Sequence, residues 1–356
     1  MRGSQFSFKY TAADLSTVQM KLVVFGLDRL GALLEDGSVV DLNLARAALL
    51  HEKGSPRPYV HADSQVPTDL LAFIEEGDAG LRAAEEAVSL VLSGVTFGPK
   101  GEKLLFKRNE VKIHAPLPSL ASRIAMAGAN FYDHAADAYS MIRGEKITKE
   151  DIRRQVEEGK SPPWGFWKHP RNVVGPGEPI VYPARTQRLD YEVEVAAIFG
   201  KRGKDITEEE AMDYIYGYTI VLDMSLRDQE NDRGLFLAKN FDTSVPMGPC
   251  IVTADEIGDP HKLRLRLEVD EEVRQDGTQE DMIRGYPFWI SYLTRDMTFY
   301  PGDMICAGTC SGTALDSTPR GPDGETDPAL FLKPGQVVEA WVEKIGTLIN
   351  PVEIKE

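Results

Sequence analysis

The stretch "LDYEVEVAAIFGK", residues 189 to 201, sets Glu192 and Glu194 two positions apart at the head of a run of Val, Ala, Ile and Phe. In an extended strand, side chains at i and i+2 share a face. The two carboxylates therefore stand side by side, while Tyr191, Val193 and Val195 point the other way. On an open sheet face such a pair is simply wetted. A near-unbroken apolar run, however, belongs to a strand covered on both faces, where two adjacent unpaired carboxylates cost several kcal/mol. The pair calls for a cation.

A third acid follows in "ITEEEAMDYIYGYTIVLDMSLRDQ", residues 206 to 229. Thr207 and Glu210 have capping-box spacing, which predicts a helix over 207–216, a turn at Gly217 and an apolar strand ending at Asp223. Alone, Asp223 is equally a strand-end or turn residue. Together with Glu192 and Glu194 it completes an oxygen-only ligand set without His or Cys, which suits Mg²⁺ or Mn²⁺ and disfavours zinc.

The 356 residues allow one large or two ordinary domains. A net charge of -16 repels nucleic acid and anionic membranes, and an anionic substrate needs local positive groups or a bound cation. The cysteines, Cys250, Cys306 and Cys310, are odd in number, so the expected setting is a reducing cytoplasm; Cys306 and Cys310 read as small core residues. The sequence contains neither a signal-peptide core nor a membrane-length apolar window.

Residues 1–19 read as an N-terminal extension. A small α/β domain is expected over 20–114, opening with three short strands around turns at Gly26–Asp28 and Asp36–Gly37, then a helix pair over 68–92 broken near Gly77. Pro116 and Pro118 punctuate the chain, and 115–356 is expected to be a second, mostly β domain. Within it the charged segment near 138–165 predicts a helical insertion, either a solvated helix or a lid over a neighbouring site.

Four spaced motifs, "DYEVEVAAIFGK", "GYTIVLDMSLRDQE", "AKNFDTSVPMGPCIVT" and "YPGDMICAGTCSG", resemble the fumarylacetoacetate hydrolase superfamily in the same order. The resemblance spans about residues 115 to 350, and the segment from Met20 resembles the small N-terminal domain of many members. It implies an α+β, mostly β fold with a mixed β-roll core. It also implies a divalent metal, usually Mg²⁺, on Glu192, Glu194 and Asp223.

"AMAGANFYDHAAD" is similar to the family's Asn-aromatic-x-x-His motif and implies that His134 activates water with an acid three residues on, here Asp137. Lys239 and Arg227 match basic residues that hold substrate oxygens and a developing anion, and Thr309 matches a loop that meets the substrate carboxylate. In "RDQE" Gln229 stands one position early and Glu230 takes the place of the family's glutamine, which changes the polarity offered to substrate. Tyr132, Trp164, Phe166 and Trp167 form either an apolar substrate wall or simple packing. The resemblance implies a homodimeric hydrolase that cleaves a carbon-carbon bond in a β-diketo acid. A lyase, decarboxylase, isomerase or dehydratase of small 2-oxo acids is the alternative, and a non-catalytic metal and ligand binder the third.

Overall fold

The structure, a computed structural model, describes residues 20–318 and 328–354. The chain divides into two compact units between Lys112 and Ile113.

In the first unit, antiparallel strands Lys21–Phe25, Arg29–Leu33 and Val39–Asp41 pair in order, with Leu105–Phe106 at the edge. Asp41 ends the third strand and caps helix Leu42–Glu52, accepting Leu44 N at 2.9 Å while paired with Arg29. Helices Leu70–Glu75 and Gly77–Leu92 meet at Gly77, where the expected break occurs.

The second unit holds two main sheets. In the first, the order is Val245–Thr253, Ile215–Leu222, Val193–Phe199, Met304–Cys306, Ile124–Ala127 and Gly165–Lys168. Most neighbours are antiparallel; Met304–Cys306 runs parallel to Ile124–Ala127. The second is a 5-stranded mixed sheet, in the order Glu272–Thr278, Arg264–Val269, Val337–Val342, Gly346–Ile354 and Ile180–Tyr182. Both central strands of the first sheet, Val193–Phe199 and Ile215–Leu222, are buried along their whole length, as expected for a strand with both faces covered. Tyr286 packs beside them and donates its hydroxyl to Val195 O at 2.9 Å. Cys250, Cys306 and Cys310 are buried free thiols. The fold is α+β with mixed sheets.

The helix expected over 207–216 is not formed. Thr207 and Glu210 make their capping contacts, but only a short 3₁₀ turn, Ala211–Tyr214, follows, and the chain enters a strand at Ile215. The run "IYGYTIVL" is rich in β-branched and aromatic residues and pairs on both edges, which outweighs the local helix start. Gly217 lies inside the strand rather than at a turn. A Cβ there would meet Val252 O at 2.4 Å, so the close approach of the neighbouring backbone explains the glycine.

The charged insertion forms helices Tyr132–Arg143 and Lys149–Glu157, and the first starts before the expected boundary so that it carries His134. Ala135, Ala136, Ile147 and Ile152 make a small apolar core between them, with Tyr132 packed against it. Gly144 closes the first helix in the left-handed conformation, and a Thr148–Asp151 capping box opens the second.

Candidate active site

Glu192, Glu194 and Asp223 offer oxygens that all lie within 4.8 Å of one another, and all three residues are buried. Register places them. Val193 pairs with Leu222 and Glu194 with Val221, while Asp223 N donates to Glu192 O at 2.9 Å, so the acids come from the adjoining ends of two paired strands. Glu194 Oε2 also accepts Gly308 N at 2.8 Å, and Gly308 reaches this position with φ +95, a backbone that favours glycine.

Three cations meet these acids. Lys239 Nζ donates to Glu192 Oε2 at 3.0 Å, to Asp223 Oδ2 at 2.8 Å and to Ser225 Oγ at 2.6 Å. Arg227 is paired with both Glu192 and Asp190. Lys168, whose side chain is fully buried, lies 2.6 Å from Asp223 Oδ1 and donates to the carbonyls of Met224 and Ser244. Burial opposes ionisation of Glu192, yet Lys239 and Arg227 prevail and hold its carboxyl well below the usual range. Burial together with the neighbouring Asp223 and Glu192 charges pushes Glu194 well above it. Burial also raises Asp223, against the pull of Lys168 and Lys239.

These residues fit a divalent cation. Asp223 Oδ1 is met at 2.6 Å by the buried Lys168 ammonium and by no other donor among the described residues. Glu194 meets no basic side chain at ion-pair distance among the described residues, although it is 1% exposed. A buried all-carboxylate donor set suits Mg²⁺ or Mn²⁺.

His134, 7% exposed, places Nδ1 at 2.8 Å from Asp316 Oδ2. Burial disfavours the imidazolium, but the Asp316 charge outweighs it and lifts His134 to about 9. His134 also lies close enough to Glu192 for each charge to shift the other. The acid expected to partner it, Asp137, accepts a hydrogen bond from Ser311 Oγ instead. The i,i+3 spacing on the helix is real, but the Thr313–Asp316 turn packs against the helix and delivers a carboxylate directly to Nδ1.

Asn130, just before this helix, gives Nδ2 to Arg284 O and Ala307 O, each at 2.8 Å, and so ties the His134 segment to the loop that carries Gly308. Thr309 is buried with its hydroxyl donating to Val193 O and accepting from Gln275 Nε2, both at 2.8 Å. Its hydroxyl proton thus supports the strand carrying the ligands rather than pointing at a substrate carboxylate. Gln229 Nε2 donates to Arg185 O, and the Arg153 guanidinium lies 5.0 Å from the Tyr132 ring centre. The Glu230 side chain lies outside the described residues. Of the four aromatic residues, Phe166 has its ring centre 5.1 Å from Lys239 Nζ.

Lys168, Asp190 and Asp316 escaped the sequence reading. Asp190 had a signal, because the alternation that pairs 192 with 194 extends back to it. Asp316 had the capping-box spacing with Thr313, which marks a helix start but names no partner.

The family pattern of the fumarylacetoacetate (FAA) hydrolase C-terminal domain matches residues 123–353. Oxaloacetate tautomerase YisK of Bacillus subtilis is 32% identical over 326 residues, covering 90% of this chain and 95% of that protein. The human protein oxaloacetate tautomerase FAHD2A, mitochondrial, is 32% identical over 293 residues, covering 82% of this chain and 81% of its own. Among solved structures, fumarylacetoacetate hydrolase from psychrophilic Exiguobacterium antarcticum aligns with a TM-score of 0.67 at 28% identity, covering 94% of this chain and 100% of that one. Among the described residues no helix is long and apolar enough to cross a membrane. With the acids, the basic residues and the histidine motif in place, this chain belongs to the fumarylacetoacetate hydrolase family.

Proposed function

We propose that this protein is a divalent-metal-dependent enzyme of small 2-oxo acids that catalyses keto-enol proton transfer, with oxaloacetate or a related 2-oxo dicarboxylic acid as substrate. The observation that carries this is the buried His134–Asp316 pair beside the three-carboxylate cluster. Its support from relatives is the near full-length similarity to proteins named oxaloacetate tautomerase.

Glu192, Glu194 and Asp223 would hold Mg²⁺ or Mn²⁺, which when bound polarises a 2-oxo acid and offsets its charge. Asp316 occupies Nδ1 of His134, so Nε2 is the nitrogen left to exchange a proton with substrate. In the metal-free site the Asp316 charge lifts His134 to about 9, which supports an imidazolium that begins as the proton donor. In the enol-to-keto direction Nε2 would give its proton to the enol carbon, the enol hydroxyl would release its proton to solvent water, and the neutral imidazole would take one proton back from solvent, so that the net change is one proton moved from oxygen to carbon. Lys239, which donates to Glu192, Asp223 and Ser225, would turn to a substrate oxygen where a bound cation takes over the charge of those carboxylates, and would stabilise negative charge there within a chain whose net charge is otherwise repulsive.

Hydrolysis of a carbon-carbon bond in a β-diketo acid such as an acylpyruvate is the second reading, favoured by the same pair acting in the opposite sense. A neutral His134 would then take a proton from water for attack on the distal carbonyl. The test follows the ultraviolet absorbance of enol oxaloacetate with Mn²⁺ or Mg²⁺ and after chelation, alongside pyruvate release from a panel of acylpyruvates. Metal-dependent enol loss above the buffer rate, without pyruvate from acylpyruvates, supports tautomerisation. Pyruvate release from acylpyruvates with no effect on oxaloacetate replaces it with hydrolysis.

A further inference from the structure

Asp190 takes no part in the proton transfer above, yet it is fully buried and bonded on two sides. On one side its Oδ2 accepts Arg227 Nε at 2.8 Å, and the same guanidinium donates through Nη2 to Glu192. On the other, Oδ1 accepts Ala314 N at 2.7 Å and Oδ2 accepts Leu315 N at 3.1 Å. Those amides open the turn Ala314–Ser317, whose third residue is Asp316, the acid on His134.

We propose that Asp190 is a positioning residue that fixes the metal ligand Glu192, through Arg227, and the histidine partner Asp316, through the 314–315 backbone, against one shared carboxylate. A carboxyl group offers acceptor sites on both oxygens for these donors at once, and the planar guanidinium fork is what allows one side chain to meet both acids. Asparagine retains one acceptor but turns an amide donor towards Arg227 or the backbone amides, so it satisfies one side at the expense of the other.

The inference rests on the reading above only for the roles of Glu192 and His134, and its test uses protein without substrate. Mn²⁺ affinity is measured by electron paramagnetic resonance, and the His134 titration by NMR on metal-free protein. Asp190→Asn is expected to weaken Mn²⁺ binding by about tenfold or more and to lower the His134 midpoint by about one pH unit. Because that variant also removes a charge, Arg227→Lys is measured beside it; it keeps the charge but replaces the fork with a single ammonium, so Mn²⁺ affinity is expected to fall again while the His134 midpoint, held through the 314–315 amides, stays near the wild-type value. If either quantity stays at the wild-type value in folded Asp190→Asn, Asp190 serves one side alone or neither, and the proposal is overturned. Should Asp190→Asn fail to fold, Arg227→Lys decides: Mn²⁺ affinity that stays at the wild-type value overturns the proposal, and weakened Mn²⁺ binding with an unchanged His134 midpoint supports it. Wild-type protein inactive on every 2-oxo acid would count against the proposed reaction and leave these two measurements intact.

Discussion

His134 Nδ1 and Asp316 Oδ2 lie 2.8 Å apart although 182 residues separate them in the chain. The pair brings a helix of the charged insertion against the short turn that follows the Gly308 loop, and its position depends on the tertiary fold rather than on the spacing within either segment.

Replacing His134 by Asn should lower kcat by about 10²–10⁴-fold, the usual contribution of a positioned proton donor. Mn²⁺ affinity should change little, because His134 is not among the ligand carboxylates. Loss of turnover together with loss of metal would instead place His134 in the metal site.

Asp316→Asn removes the charge that outweighs burial, so His134 should titrate well below its present value of about 9. The folded pKa is raised above the unfolded 6.5, so the pair's stabilisation is complete below pH 6.5 and is lost as pH rises through about 9. The melting temperatures of wild type and Asp316→Asn should differ most at the acid end of that window and converge above it. A gap that is constant with pH would remove the ionic contribution.

Glu194 behaves in the opposite way from an ordinary salt-bridged carboxylate. Its folded pKa is raised, so in metal-free protein its ionised form destabilises above the unfolded value of 4.5, and stability is regained as pH falls through the raised value. At neutral pH, metal-free Glu194→Gln should melt at or above the wild-type temperature, and saturating Mn²⁺ should reverse the order. Binding at 100 times Kd adds about 2.7 kcal/mol to the protein that retains its ligands. A lower melting temperature for the metal-free variant would show that Glu194 is already compensated.

Lys168→Met should destabilise the fold by about 3–5 kcal/mol, since it removes a fully buried charge from Asp223 and strips a donor from the Met224 and Ser244 carbonyls. Urea denaturation measures this. A change under about 1 kcal/mol would mean that Lys239 alone balances Asp223.

Gly308→Ala asks whether the loop sets the ligand. A Cβ there approaches Asn130 Cβ at 3.1 Å on a backbone with φ +95, and yielding would move the amide that Glu194 accepts. Weaker Mn²⁺ binding with an unchanged His134 titration is the expected outcome; unchanged binding would separate the loop from the metal site.

The features legible in the sequence were those written in local periodicity. Glu192 and Glu194 announced themselves by alternation in an apolar strand, and Asp223 by ending one. The residues that were missed depend on remote pairing. Lys168 is one basic residue at the end of an aromatic strand that lies four places from Ile215–Leu222 in the sheet order, and only the tertiary fold brings it to Asp223. Asp137 had the spacing of a histidine partner, but Ser311 takes its carboxylate while a turn far along the chain supplies Asp316. The failed helix over 207–216 has a similar cause, because two-sided strand pairing decides the fate of "YIYGYTIVL" after a genuine capping contact.

The ladder between Val193–Phe199 and Ile215–Leu222 acts as a ruler for the carboxylate cluster. A slip of one residue along it would turn a ligand to the opposite side of the sheet and pull the trio apart. The spacing of the acids is therefore kept by backbone pairing and not by the length of the connection at 200–214, so that connection can lengthen or shorten without moving them. Related chains are expected to differ freely in the size of this link while holding the same two strands in the same phase.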